Sequence, residues 1–303
     1  MSSSGKYGDG GTPSLPIWIT GAAGLIGSHL VQTALRFALW AQVIGIVRNG
    51  NMPSLPTIKL DLIDFAAVRR EFQRQRPQLV IHCAAMSRSP ACQEHSKLAR
   101  LANVDATRNL AELAADIPFV FFSTDLVFDG QKGNYIETDA VNPISVYADT
   151  KVEAEGFVRA HPRHLILRAA LNAGKSPAGD GGFDEQMRMA WQAGRAVNLF
   201  TDEFRCPIPA AVTARVVWEL VAKKVMGTFH LGGAEKLSRY EIGKMLAARC
   251  PELKPQIISG SLKEYRGAPR PPDVSLNCAK AQATLSFPLP KFSEWLAGEA
   301  VST

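Results

Sequence analysis

Short apolar segments alternate along this chain with longer segments whose apolar residues follow helical spacing. The apolar segments have the length of strands buried on both faces, and they cover residues 17–20, 42–47, 79–85 and 119–122. Between them, segments such as 65–76 and 97–115 have the period of helices. Strands that alternate with helices in this way predict an α/β fold built on a doubly wound parallel sheet.

A glycine-rich turn separates the first strand from the first helix. Gly21 permits a tight turn, Gly24 lets backbone amides approach a pyrophosphate, and Gly27 lets the helix pack against the strand. Leu25 and Ile26 open the helix, whose N-terminus favours an anion. A second strand follows about 20 residues later, as in a βαβ unit. The turn therefore predicts a dinucleotide site.

The residues at the next strand ends indicate which dinucleotide binds. Arg48 follows the second strand with no acidic residue nearby, and a guanidinium suits a 2′-phosphate, so we expect NADPH rather than NADH. An exposed arginine at a strand end is the alternative. Asp61 and Leu62 end the third predicted strand, over residues 57–62, where Asp61 either meets the adenine amino group or caps the next helix. Ala84 and Ala85 end the next strand with small side chains that leave room for a cofactor.

Composition and charge narrow the class of protein. The 303 residues are 46% apolar and 20% charged, as in ordinary globular proteins. No apolar window suggests a membrane span, and no signal-peptide layout is present. Five dispersed cysteines without a CxxC pair predict neither disulfides nor a metal site and favour the cytoplasm. The net charge of +6 is dispersed, so we expect anionic small molecules as partners, and neither nucleic acid nor membrane.

Three polar residues lie at or beyond the end of the buried strand predicted over residues 119–122. Thr124 stands at its end, and Tyr147 and Lys151 are four residues apart in a predicted helix, which places phenol and ammonium on one face. By itself this spacing is also typical of a solvated helix face. Downstream of a dinucleotide turn, the three residues together predict a proton-relay site beside a nicotinamide.

These segments together resemble the extended short-chain dehydrogenase/reductase superfamily, and more closely its dTDP-4-dehydrorhamnose reductase branch. The resemblance runs from about residue 17 to residue 279. The motifs that carry it lie at 21–27, 81–85, 103 with 107–110, 123–130, 142–151, 167–168 and 270–271. It implies a Rossmann fold and an NADPH-dependent reductase of a keto group on a nucleotide-linked sugar or similar polar substrate.

The resemblance also assigns roles to the three polar residues. Tyr147 is the expected acid, and Thr124 positions the substrate oxygen. A free tyrosine with a pKa near 10 is mismatched to neutral pH by roughly three units. We therefore expect the Lys151 ammonium and the oxidised nicotinamide to lower the pKa of Tyr147, while Lys151 also holds the nicotinamide ribose.

Several segments depart from the family pattern. Leu126 stands where the similar dehydratases have glutamate and where the rhamnose-forming reductases usually have tyrosine, so dehydration is not expected. Residues 169–172 and 202–208 also differ from the reductases, which indicates a rebuilt sugar site. The alternative function is therefore a non-catalytic NADP-binding regulatory subunit, similar to the beta subunit of methionine adenosyltransferase.

The predicted organisation has three parts. Residues 1–16 are a disordered leader, 17–170 a dinucleotide-binding domain to which 207–232 return, and 171–206 with 233–303 a smaller substrate lobe. The candidate substrate-binding residues are Asp125, Asn172, Arg205 and Arg270. For the oligomeric state of the protein, we consider a homodimer.

Overall fold

The computed structural model describes residues 15–36, 43–49 and 55–298. The strands in this part of the chain are β1 (Ile17–Thr20), β2 (Val43–Val47), β3 (Thr57–Lys59), β4 (Leu79–His82), β5 (Phe119–Thr124), β6 (His164–Ala169), β7 (Asn172–Ala173), β8 (Val197–Phe200), β9 (Phe204–Arg205), β10 (Ile208–Pro209), β11 (Gly227–Leu231), β12 (Leu237–Ser238) and β13 (Ile257–Gly260).

The helices in the same part are α1 (Leu25–Arg36), α2 (Phe65–Gln75), α3 (Ser89–Glu94), α4 (Ser96–Arg100), α5 (Ala106–Leu113), α6 (Val146–Arg159), α7 (Phe183–Gln192), α8 (Ala210–Ala222), α9 (Arg239–Ala248), α10 (Ala279–Thr284) and α11 (Phe292–Gly298). Each of them is too short or too polar to span a bilayer.

Seven of these strands form one parallel sheet in the order β11-β6-β5-β4-β1-β2-β3. β1 lies between β2 and β4, and every residue of β1, β4 and β5 is buried. Helices cover both faces: α1 and α8 enclose one apolar core, and α2, α5 and α6 enclose the other. The prediction of a doubly wound α/β sheet is therefore confirmed.

A second, smaller apolar core lies outside this sheet. It is built by α7, β8, α9 and α11. Short two-stranded sheets connect the segments around it: β7 with β10, β8 with β13, and β9 with β12. Between the segments of this lobe, the chain returns to the main sheet through α8 and β11, and β11 pairs with β6. The two parts are thus interleaved along the sequence.

Two local expectations need correction, and a third lies mostly outside the described residues. The helix predicted over 97–115 is α4 and α5 joined by a π-helical turn, Leu101–Asp105. The cap of α2 is Asp64, which accepts a hydrogen bond from the amide of Ala67 at 2.9 Å, and not Asp61. The predicted leader lies outside the described residues except for its last two, whose carbonyls accept hydrogen bonds from Gln78.

Candidate active site

The glycine turn joins β1 to α1 in the close-packed form that its spacing predicts. Gly21 has a φ of +66°, and a Cβ there would lie 2.8 Å from the amide nitrogen of Ala84. A Cβ on Gly27 would lie 2.2 Å from the carbonyl oxygen of Gly21. The first amides of α1, on Leu25 and Ile26, have no partner within a helix. A turn this tight, with free amides at a helix N-terminus, fits a pyrophosphate.

The other predicted cofactor residues lie at the same edge of the sheet. Arg48 directly follows β2 and is exposed. Asp61 and Leu62 follow β3, and Asp61 accepts a hydrogen bond from the amide of Ile63 at 3.2 Å. Ala84 follows β4, where its amide donates to the hydroxyl of Thr20 at 3.2 Å. The exposed Ala85 comes next in the chain. Their contacts with a cofactor stay predictions.

The three predicted catalytic residues lie at the carboxyl end of β5 and on the helix beside it. Ser145 caps α6 by accepting a hydrogen bond from the amide of Ala148 at 3.3 Å, which places Tyr147 in the first turn and Lys151 in the second. Thr124 ends β5, where its hydroxyl donates to Asp125 at 3.1 Å. The ammonium of Lys151 lies 4.0 Å from the centroid of the Phe121 ring, also on β5.

Burial governs the pKa values of this group. It lowers the pKa of Lys151 to about 7, against the opposing effects of Glu155 and Cys83. It also raises the pKa of the Tyr147 phenol, and the negative charge of Asp125 raises it further, whereas the Thr124 hydroxyl opposes the rise. The expectation that Lys151 lowers this pKa therefore does not hold for the protein alone, because burial outweighs any effect of the ammonium.

Asp125 joins the catalytic threonine to a buried cluster of charges. Its carboxyl is 5% exposed, and burial raises its pKa to about 6 despite the nearby Arg205. The Oδ2 atom is buried without a hydrogen bond among the described residues, and it lies 3.9 Å from Nε of Arg205. Arg205 in turn donates to Glu203 at 2.8 Å. Asp125 and Arg205 are thus in contact, as a shared site requires.

Glu203 holds a second arginine beside a cavity. Arg270 donates to both oxygens of Glu203, each at 2.8 Å. Arg270 and Arg239 line a cavity of about 230 Å³, together with Phe183 and Phe200. Arg239 is the first residue of α9, and burial lowers the pKa of its guanidinium to about 10. Its Nη1 atom makes no hydrogen bond within the described chain. A cationic wall with an unsatisfied donor suits an anionic ligand.

Two functional candidates were missed from the sequence, and one predicted residue already has protein partners for both ends of its side chain. Glu203 gave no signal, because Arg270, the arginine that it holds beside the cavity, is distant in the sequence. Arg239 did give one: a cation in the first turn of a helix opposes the helix dipole, which indicates a role other than helix stability. The amide of Asn172, predicted to bind substrate, contacts Ala170 and Thr213 at 2.8 and 2.7 Å, so neither end of it is free.

The parallel sheet carries a glycine turn, and a threonine, a tyrosine and a lysine lie at its carboxyl edge. This arrangement defines an NAD(P)-dependent oxidoreductase of the extended short-chain dehydrogenase/reductase class. Residues 15–300 match the model of the family described as the RmlD substrate binding domain, and the chain belongs to that family. The resemblance to this branch is thereby confirmed.

Two similar proteins and one similar solved structure are consistent with this assignment. A probable low-salt glycan biosynthesis reductase, Agl14 of Haloferax volcanii, is 33% identical over 237 residues, which are 76% of this chain and 78% of that protein. Methionine adenosyltransferase 2 subunit beta of Bos taurus is 29% identical over 285 residues, with 89% and 82% covered. A hypothetical dTDP-4-dehydrorhamnose reductase from Sulfolobus tokodaii has a TM-score of 0.81 at 29% identity, with 92% and 97% covered.

Proposed function

We propose that this protein reduces a keto group on a nucleoside-diphosphate sugar with NADPH as the hydride donor. The observation that carries the proposal is the placement of Thr124, Tyr147 and Lys151 at the sheet edge where the glycine turn also lies. In parallel sheets, ligands bind at the carboxyl ends of the strands. The five cysteines are free, which suits the reducing cytoplasm that we propose for it.

The residues of the site fit NADPH, and each has a separate role in the reaction. The amides of Leu25 and Ile26 face the position of a pyrophosphate, and Arg48 supplies the cation for a 2′-phosphate. When bound, reduced nicotinamide supplies the hydride. Tyr147 holds the proton that the developing alkoxide needs, and its raised pKa keeps the proton on the phenol until the substrate binds.

Thr124 and Lys151 orient this proton transfer. The Thr124 hydroxyl lies close enough to Tyr147 to affect its pKa, so both can reach one substrate oxygen. Lys151 presents its ammonium from the next turn of α6, where it can hold a ribose hydroxyl.

The cavity beside Glu203 suits the nucleotide half of the substrate. Arg239 and Arg270 give it a positive wall for a diphosphate, and Phe183 and Phe200 offer aromatic surface for a base. Arg205 and Asp125 connect this cavity to Thr124. A substrate with an anionic nucleotide at one end and a carbonyl at the other would span the two places.

The proposal is tested by NADPH oxidation with a panel of nucleoside-diphosphate 4-keto sugars, beginning with dTDP-4-dehydrorhamnose. We expect turnover with NADPH to exceed turnover with NADH. Replacing Tyr147→Phe should lower kcat roughly 10²- to 10⁴-fold, the usual contribution of a general acid, and leave NADPH affinity within about threefold. An enzyme that binds NADPH but oxidises none of it with any such ketone would refute the proposal.

A regulatory function is the second candidate, and it is favoured by the extent of the similarity to methionine adenosyltransferase 2 subunit beta. In that case the protein would bind NADP and act through a partner enzyme. Co-purification from cells that express the tagged chain distinguishes the two. A stoichiometric partner whose kinetics respond to NADP, without turnover by the protein alone, would support the regulatory function.

A further inference from the structure

Glu155 lies on α6 one helical turn beyond Lys151, and it is completely buried. Its Oε1 atom accepts hydrogen bonds from the hydroxyl of Ser123 at 2.5 Å and from Nε of Arg168 at 3.1 Å. Its Oε2 atom accepts from Arg168 at 2.9 Å and from Arg159 at 2.5 Å. Ser123 precedes Thr124 on β5, and Arg168 lies on β6. One carboxylate therefore connects the catalytic helix to two strands of the sheet.

Lys151 is also buried, but its charged group lacks hydrogen-bond partners of this kind among the described residues. Its side chain is only 3% exposed, and within the described part of the chain its ammonium makes neither a hydrogen bond nor an ion pair. The ammonium lies over the face of the Phe121 ring, 4.0 Å from its centroid. A buried ammonium loses hydration, so the charged form requires compensation from a nearby negative charge.

We propose that Glu155 is a positioning residue for the reaction, whose carboxylate keeps the Lys151 side chain charged from one helical turn away while it ties α6 to β5. This inference deepens the proposed function, which needs the charged form of Lys151. Residues four apart on a helix are neighbours on one face, and the Glu155 charge stabilises the ammonium more than that of any other residue.

The other charged and titratable groups around Lys151 cannot replace this carboxylate. Burial raises the pKa of Cys83, at the end of β4, so this thiol carries no charge at neutral pH. His82 precedes it, and burial together with the Lys151 charge lowers the pKa of its imidazole to about 3. Arg168 and Arg159 are cations that would repel the ammonium. Asp125 acts on Tyr147, and it does not contribute to the pKa of Lys151.

The test is a direct titration of Lys151 in full-length protein whose lysines carry ¹³C at Cε. The resonance is assigned by its loss in Lys151→Met, and its shift is followed against pH by NMR without substrate. We expect a midpoint near 7 for the native protein. Replacing Glu155→Gln should lower the midpoint by about one pH unit, whereas Glu155→Asp should restore most of the shift. An unchanged midpoint in Glu155→Gln would overturn the inference.

Two further variants separate charge from structure. Ser123→Ala removes a hydrogen bond to the same carboxylate but no charge, so its midpoint should stay at the native value; a fall as large as that of Glu155→Gln would make the effect structural and overturn the inference. Arg159→Gln removes a partly exposed cation that competes for Glu155, so the midpoint should rise. If Glu155→Gln does not fold, Arg159→Gln decides, and a midpoint that fails to rise refutes the inference.

The same variants connect the inference to turnover. At saturating NADPH, the alkaline limb of kcat/KM should move to lower pH in Glu155→Gln, in step with the titration of Lys151. A loss of activity without movement of the limb would show a merely structural role. If no substrate is turned over by the native protein, the proposed function fails while the titration still tests the role of Glu155.

Discussion

The close packing of the glycine turn makes a quantitative prediction about cofactor binding. In Gly27→Ala the new Cβ would lie 2.2 Å from the carbonyl oxygen of Gly21 and 2.8 Å from Cα of Ala22. Ordinary contact begins at 3.4 Å, so the backbone of the phosphate turn must retreat by about 1.2 Å at its closest point. Overpacking of this kind costs about 1–3 kcal/mol. If the cofactor can bind only the undistorted turn, NADPH affinity should fall about 5- to 150-fold.

Gly156→Ala is the matched control for this substitution. Gly156 lies on the exposed face of α6, where a Cβ would meet nothing within 4 Å. Alanine there should leave NADPH affinity unchanged and raise the free energy of unfolding by about 0.5–1 kcal/mol, because it removes backbone freedom from the unfolded chain. Calorimetric titration with NADPH and urea unfolding measure both quantities. NADPH affinity within twofold of native in a folded Gly27→Ala protein would refute the reasoning.

Three further predictions concern charges. In Arg48→Ala, the preference for NADPH over NADH should fall about tenfold or more while NADH affinity holds; an unchanged ratio in competition binding would exclude Arg48 from the 2′-phosphate site. In Arg239→Met, the KM for a nucleoside-diphosphate substrate should rise about tenfold or more, while kcat and the KM for NADPH stay nearly constant. An unchanged KM for the nucleoside-diphosphate substrate would place the diphosphate elsewhere. His230 is buried with its pKa lowered to about 4, so its neutral form stabilises the folded state. Between pH 6.5 and 4 the unfolded chain binds a proton on this residue that the folded protein does not bind, so this residue should lower the free energy of unfolding by about 2 kcal/mol at pH 5. Urea unfolding should therefore show a smaller loss of stability with falling pH in His230→Asn than in the native protein. An equal dependence of stability on pH in the two proteins would contradict the assignment.

The fold was predictable because its signals are local. Continuous apolar strands, helical periods and the glycine spacing each act within a few residues, and together they specify a parallel sheet. The same holds for Tyr147 and Lys151, since their spacing fixes their common helix face. Thr124 followed from its place at the end of a buried strand.

The parts that could not be predicted depend on contacts between distant residues. Glu203 contacts Arg270, 67 positions away, so neither sequence segment identifies the pair. A π-helical turn, in which Asn103 bonds both the amide and the carbonyl of Met86 at 2.7 and 3.0 Å, interrupts a helix that the periodicity predicts as continuous. The raised pKa of Tyr147 likewise depends on burial by several elements.

The position of β11 has a consequence for how the chain folds as it is synthesised. β11 pairs with β6 only after residues 171–206 have supplied part of the smaller lobe. A nascent chain that ends before residue 227 therefore presents the full hydrogen-bonding edge of β6 to other chains, with no partner strand yet made. Truncation near residue 200 should accordingly give an aggregating fragment rather than an independent nucleotide-binding domain, and the smaller lobe cannot be removed as one piece.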